Sequence, residues 1–126
     1  MKYFAFSLVL ILSLFLLCAC SQPLDLTGED AAQQILSISK NPEQYLGEEI
    51  IFAGYYTYQD FIGRYHYVLL SLSNEENLGF EIRLDGEYPP AGSAVRVRGI
   101  LKSVNEFGQD YIYLEVHELS VLQPAE

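Results

Sequence analysis

Between Glu48 and Leu122 apolar residues recur at every second position, and turn-forming residues cut that pattern into five pieces. The pieces are residues 50–58, 65–72, 79–84, 94–103 and 111–122. In the third, Phe80, Ile82 and Leu84 alternate with Glu81 and Arg83; in the fourth, Val95 and Val97 alternate with Arg96 and Arg98. The fifth sets Ile112, Leu114 and Val116 against Tyr111, Tyr113 and Glu115. A period of two predicts strands with one buried and one polar face. Ten Tyr and seven Phe with no Trp suit that class. The first and fourth pieces also share a pattern, Ile50-Ile51-Phe52-Ala53-Gly54 and Val95-Arg96-Val97-Arg98-Gly99. A glycine inside a strand marks a sharp bend or a close backbone approach, so these two strands are expected to curve as at the corner of a small barrel.

Ahead of the strands the period is helical. Ala31, Ala32, Ile35, Leu36 and Ile38 form one apolar stripe. Thr27 is expected to cap the helix, with Glu29 and Asp30 at the positive end of its dipole. Asn41-Pro42-Glu43-Gln44-Tyr45-Leu46-Gly47 predicts a second short turn, with Pro at its start and Gly at its stop.

The stretch from Asn41 through Glu48-Glu49-Ile50, together with Pro90-Ala91-Gly92-Ser93-Ala94-Val95-Arg96-Val97-Arg98-Gly99, resembles the OB-fold domains of small bacterial lipoproteins and envelope proteins. At fold level these are similar to the anticodon-binding type of OB domain. The resemblance spans roughly residues 41–122. It implies a mainly β chain: a five-stranded OB-type Greek-key barrel over 48–122, preceded by a short N-terminal helical segment over 27–47 and followed by a tail at 123–126. Many OB domains carry a helix between the third and fourth strands. Here only residues 85–93 connect them, and Pro89-Pro90 cannot continue a helix interior. The helix ahead of the first strand is therefore expected to cover the barrel end.

The N-terminus reads separately. Lys2 precedes an apolar run from Tyr3 to Leu17, which is shorter than a stable membrane span. Leu17-Cys18-Ala19-Cys20 resembles the lipobox of bacterial lipoproteins. That resemblance implies a signal peptide over 1–19, a diacylglyceryl thioether on Cys20, and a lipidated tether over 20–26. It places the domain on the extracytoplasmic face of the cell membrane, or at the outer membrane, given Ser21, in a host with two membranes. An uncleaved apolar helix, or an ordinary signal peptide cut nearby, would use the same run. With Cys18 removed, only Cys20 remains, so neither a disulfide within the domain nor a thiolate metal cluster can form. Loss of Lys2 leaves six basic residues against seventeen acidic, one unit more negative than the −10 of the whole chain. That charge repels phosphate polymers at long range.

OB barrels bind across the face of strands two and three, flanked by the loop joining strands one and two and the loop joining strands four and five. Those loops, 59–64 and 105–110, hold Phe61, Arg64 and Phe107. The rings either mark a contact surface or fold back to plug the barrel. Tyr55, Tyr65, Tyr67 and Tyr113 are candidates for an outward stacking platform, or for plain cross-strand packing. Arg83, Arg96 and Arg98 form either a basic stripe or pairs with Glu81, Glu115 and Glu118. His66 and His117 lie on different strands without metal-ligand spacing, and no nucleophile elbow or phosphate loop is present. The expectation is a binding module with no catalytic residues, metal or cofactor. Its partner is expected to be a protein or cell-wall component, with single-stranded nucleic acid as the alternative.

Overall fold

The computed structural model describes residues 22–59, 65–70 and 78–125. The expected leader over 1–19, Cys20, Phe61 and Arg64 lie outside the described residues, as do positions 71–72 of the second expected strand.

Among the described residues, six strands and one α-helix follow in chain order: β1 (Leu24–Leu26), α1 (Ala31–Lys40), a 3-10 turn (Pro42–Gln44), β2 (Glu49–Gln59), β3 (Tyr65–Leu69), β4 (Gly79–Leu84), β5 (Ala94–Glu106) and β6 (Gln109–Gln123). The sheet order is β1-β2-β3-β4-β6-β5, and β2 also pairs with β5. That last pairing closes a ring of five strands, giving the mainly β OB-type barrel. Around the ring the pairs are antiparallel except β4–β6, which is parallel with Ile82 opposite Leu114.

Closure demands bending, and the two matched glycines sit at the tight points. A Cβ on Gly54 would lie 2.3 Å from the Leu69 carbonyl oxygen, and one on Gly99 would lie 2.4 Å from that of Glu115. The β5–β6 register also slips between Arg98 and Gly99, so His117 has no opposite residue there. A bulge of this kind bends the strand and sharpens its twist.

The barrel is filled by Ile50, Phe52, Val68, Phe80, Ile82, Val95, Val97, Leu101 and Leu114, with Phe52 and Phe80 meeting edge to face at 5.2 Å. From α1, Ala31, Ile35 and Ile38 join this core, a narrower stripe than the sequence suggests, because Leu36 stays exposed.

Three expectations need correction. Leu24–Leu26, read as part of a tether, is a strand parallel to β2, and Leu26 is 0% exposed. Thr27 does not cap the helix: it hydrogen-bonds the Asp25 carboxylate, and α1 begins only after Asp30. Residues 105–110 are not a six-residue loop but a continuation of the β5–β6 ladder, Asn105 opposite Asp110 and Glu106 opposite Gln109. The turn is Phe107-Gly108 alone, with φ of 55° and 77°. Positive φ at both centres is the two-residue hairpin geometry whose twist matches the flanking strands.

Because Leu26 is fully buried, Leu26→Ala is expected to destabilise the domain by about 2–5 kcal/mol. A denaturant titration checks this; a tether residue would shift stability by less than about 0.5 kcal/mol.

Candidate functional site: a tyrosine face on the barrel

Strand parity and register decide what meets on the outside. On β2 the odd positions face outward beside β3, with Tyr55 opposite Leu69 and Thr57 opposite Tyr67. Tyr67 is in turn opposite Glu81 of β4. Arg83, two positions on, aligns with Glu115 of β6, whose outward neighbour is Tyr113. The guanidinium of Arg83 lies 4.2 Å from the centre of the Tyr113 ring, within cation–π range. The Tyr65 and Tyr67 rings are 6.4 Å apart. Thus Tyr65, Tyr67, Arg83 and Tyr113 share one half-buried face, and Tyr55 stands exposed at its β2 margin.

The charges on this face are largely matched. Arg83 Nη2 donates to Glu106 Oε1 at 3.0 Å, tying the β5–β6 hairpin to β4. Glu81 is partly buried, which pushes its carboxyl above the usual glutamate range, although Arg83 opposes that shift. Burial likewise raises the Tyr67 hydroxyl, with Glu81 adding to the effect. At the end of the hairpin Phe107 is 87% exposed, so its ring does not plug the barrel.

The arginines do not form one stripe. β6 lies between β4 and β5, so Arg83 faces the tyrosines while Arg96 and Arg98 face outward on the β2–β5–β6 side. There they border a shallow groove with Ile51, Val97, Glu118 and Ser120. Pairing does occur, but with other acids than expected. Arg98 binds Glu49, which holds that carboxyl below its ordinary value, and His117 Nε2 lies 3.4 Å from the same group. Glu115 pairs with Lys102 rather than with an arginine.

A second aromatic cluster has the opposite parity. Tyr56 is buried, and its hydroxyl lies 2.6 Å from Nδ1 of His66. His66 stacks on Tyr88 at 3.7 Å and contacts Tyr58 at 4.9 Å. Burial lowers the His66 pKa and raises that of Tyr56, so it disfavours the charged form of each. The Tyr88 hydroxyl accepts the backbone N–H of Leu84 at 2.9 Å, which pins the helix-free connection after β4. This cluster was absent from the sequence-based candidates. Parity would have found its strand members, because Tyr56, Tyr58 and His66 fall on the inward side of β2 and β3, but not Tyr88, which lies on the connection after β4.

Among the described residues no group of His, Cys, Asp or Glu is placed to hold a metal ion.

No protein-family model and no curated protein matches the sequence. Among solved structures, the chain is similar to the mitochondrial single-stranded DNA-binding protein of S. cerevisiae, at 12% identity and a TM-score of 0.47, over 64% of this chain and 98% of that one. It is similar to asparaginyl-tRNA synthetase from Pyrococcus horikoshii at 18% identity and a TM-score of 0.46, over 65% of this chain but only 21% of the synthetase. An OBody bound to hen egg-white lysozyme matches at 20% identity and a TM-score of 0.45, over 65% of this chain and 86% of that one.

The raised Glu81 pKa gives a pH signature. The folded state binds that proton more tightly than the unfolded one, so its contribution is fully present below the ordinary value of 4.5 and is lost as pH rises through the folded value. Glu81→Gln is therefore expected to stabilise the protein at neutral pH, with the gain vanishing below about pH 4.5. Paired thermal melts across that range check it.

Proposed function

We propose that this chain is a lipid-anchored, extracytoplasmic binding module and not an enzyme, and that it holds a protein or cell-envelope component on its tyrosine face. One observation carries the reading: Tyr65, Tyr67, Arg83 and Tyr113, spread over 48 positions of sequence, converge on one half-exposed surface. Tyrosines offer large, stiff contact area with a hydroxyl at the rim, which suits recognition at low cost in conformational entropy. The anchor is supported by Leu17-Cys18-Ala19-Cys20, whose acyl chains would hold the barrel at the membrane surface.

A protein or an uncharged glycan suits this face better than nucleic acid does. Arg83 spends its charge on Glu106, and Glu81 stands beside it, so phosphate finds little to bind there. The net charge of the chain works in the same direction. The arrangement that most favours nucleic acid is Arg83 over Tyr113, a pair on which a base can stack.

An amide NMR titration on residues 21–126 tests the site, with peptidoglycan fragments, short oligonucleotides and divalent cations at two salt concentrations. Shifts centred on Tyr65, Tyr67, Glu81, Arg83 and Tyr113 with peptidoglycan fragments are expected if the ligand is a glycan. A response to oligonucleotides that falls steeply with salt would replace this reading by the nucleic-acid one. For the anchor, intact-mass measurement on the chain expressed in a bacterial envelope should show acyl chains on a mature protein beginning at Cys20. Cys20→Ser should abolish both the added mass and membrane retention.

A further inference from the structure

Two tyrosine–carboxylate pairs stand next to one another on the tyrosine face. In one, Tyr113 and Glu106 share the cation of Arg83: its guanidinium lies 4.2 Å from the Tyr113 ring centre, and Nη2 donates to Glu106 at 3.0 Å. The other pair is Tyr67 of β3 and Glu81 of β4, opposite one another across the ladder. The Tyr65 ring, 6.4 Å from that of Tyr67, extends it. The residue types are the same, but the second pair has no basic side chain from the chain itself. Among the described residues Arg83, Arg98 and Lys102 bind Glu106, Glu49 and Glu115, and none forms an ion pair or hydrogen bond with Glu81.

Glu81 is a costly residue at that position. Its carboxyl is partly withdrawn from water and repelled by Glu106, and Arg83 does not cancel these effects. A carboxylate partly out of water and without a donor gains more from an incoming N–H cation than one in open solvent does. Arg83 and Glu106 neutralise one another, as do Lys102 and Glu115, so Glu81 carries the surplus charge of this face. The rings beside it offer negative π faces to a cation and apolar area to the methylenes that carry one.

We infer that the Tyr65–Tyr67–Glu81 half of the face takes a basic side chain of a partner protein, an arginine or lysine whose charged N–H groups donate to Glu81 while its stem lies along the rings. Arg83 on Tyr113 and Glu106 is the same contact made within the chain. The inference rests on the tyrosine face being the binding surface and names what that surface selects. The net charge of −10 draws a basic partner in at long range.

Amide NMR of the full-length chain in dodecyl maltoside micelles tests it, with acetyl-Gly-Arg-Gly-amide, its lysine counterpart and its citrulline counterpart as probes. The two charged peptides should shift Tyr65, Tyr67 and Glu81. Citrulline keeps the shape of arginine and loses the charge, so it should bind about tenfold more weakly, the effect of one charge-assisted contact. Glu81→Gln should produce the same loss with the arginine peptide and still fold, since it removes a charge that burial disfavours. Arg83→Gln should strengthen binding, because Glu106 and Tyr113 then lose their own cation. Equal binding of the citrulline peptide, indifference to Glu81→Gln, or weaker binding with Arg83→Gln would overturn the inference. If only peptidoglycan fragments shift these residues, and equally in Glu81→Gln, the inference fails while the tyrosine face stands as a binding surface. No response on this face to any of these probes would sink both.

Discussion

Ring closure between β2 and β5 is the constraint on which the rest of this structure depends. Seven residue pairs join them, from Glu49 opposite Ile100 to Tyr55 opposite Ala94. An open sheet of these strands would leave two edges unpaired and its apolar face half covered. Closing it needs backbones to approach where a side chain would collide, which is why Gly54 faces the Leu69 carbonyl and Gly99 faces that of Glu115. The bulge that leaves His117 without an opposite residue supplies further bend at the same level as Gly99. Curvature then separates an inside, packed with Phe52, Val68, Leu101 and Leu114, from an outside on which polar chemistry can be arranged.

The two aromatic groups show what that separation does. Tyr65 and Tyr67 leave β3 on the outer side and remain half exposed; His66, between them, turns inward and is fixed by Tyr56 and Tyr88. Adjacent residues thus serve opposite purposes. Next to the inner group, the Tyr88 hydroxyl anchors the proline-containing connection through Leu84. The outer group is kept in place by Arg83, which touches Tyr113 and Glu106 and so joins β4, β6 and the hairpin arm.

Strand existence and facing were legible in the sequence because a period of two survives in any sheet, and the matched glycines disclosed curvature. Neighbours were less legible. Parity says that Arg83, Arg96 and Arg98 all point outward, but only the order β4-β6-β5 shows that they point to different sides. The acids that bind them were missed for the same reason, since Glu49 and Glu106 are brought in by register and not by spacing. The length of the β5–β6 hairpin was hidden by Phe-Gly, a pair that turns poorly on propensity grounds and is held in its turn by the ladders on both sides. Leu24-Asp25-Leu26 was too short to register as a strand, and Pro23 ahead of it reads as linker. Only its burial against β2 reveals it.

That short strand also sets how the barrel answers to force. β1 runs parallel to β2, with Leu24 beside Ile50 and Leu26 beside Phe52. A pull applied from the N-terminal side, along the direction of β1, strains its hydrogen bonds to β2 together in shear instead of parting them one after another. Leu26, seated in the core, resists the same displacement. Load entering from that side is therefore delivered to the middle of the sheet, where β2 hands it to both β3 and β5. A displacement of Leu24 along β1 is thus opposed by the whole β1–β2 register and not by one residue at a time.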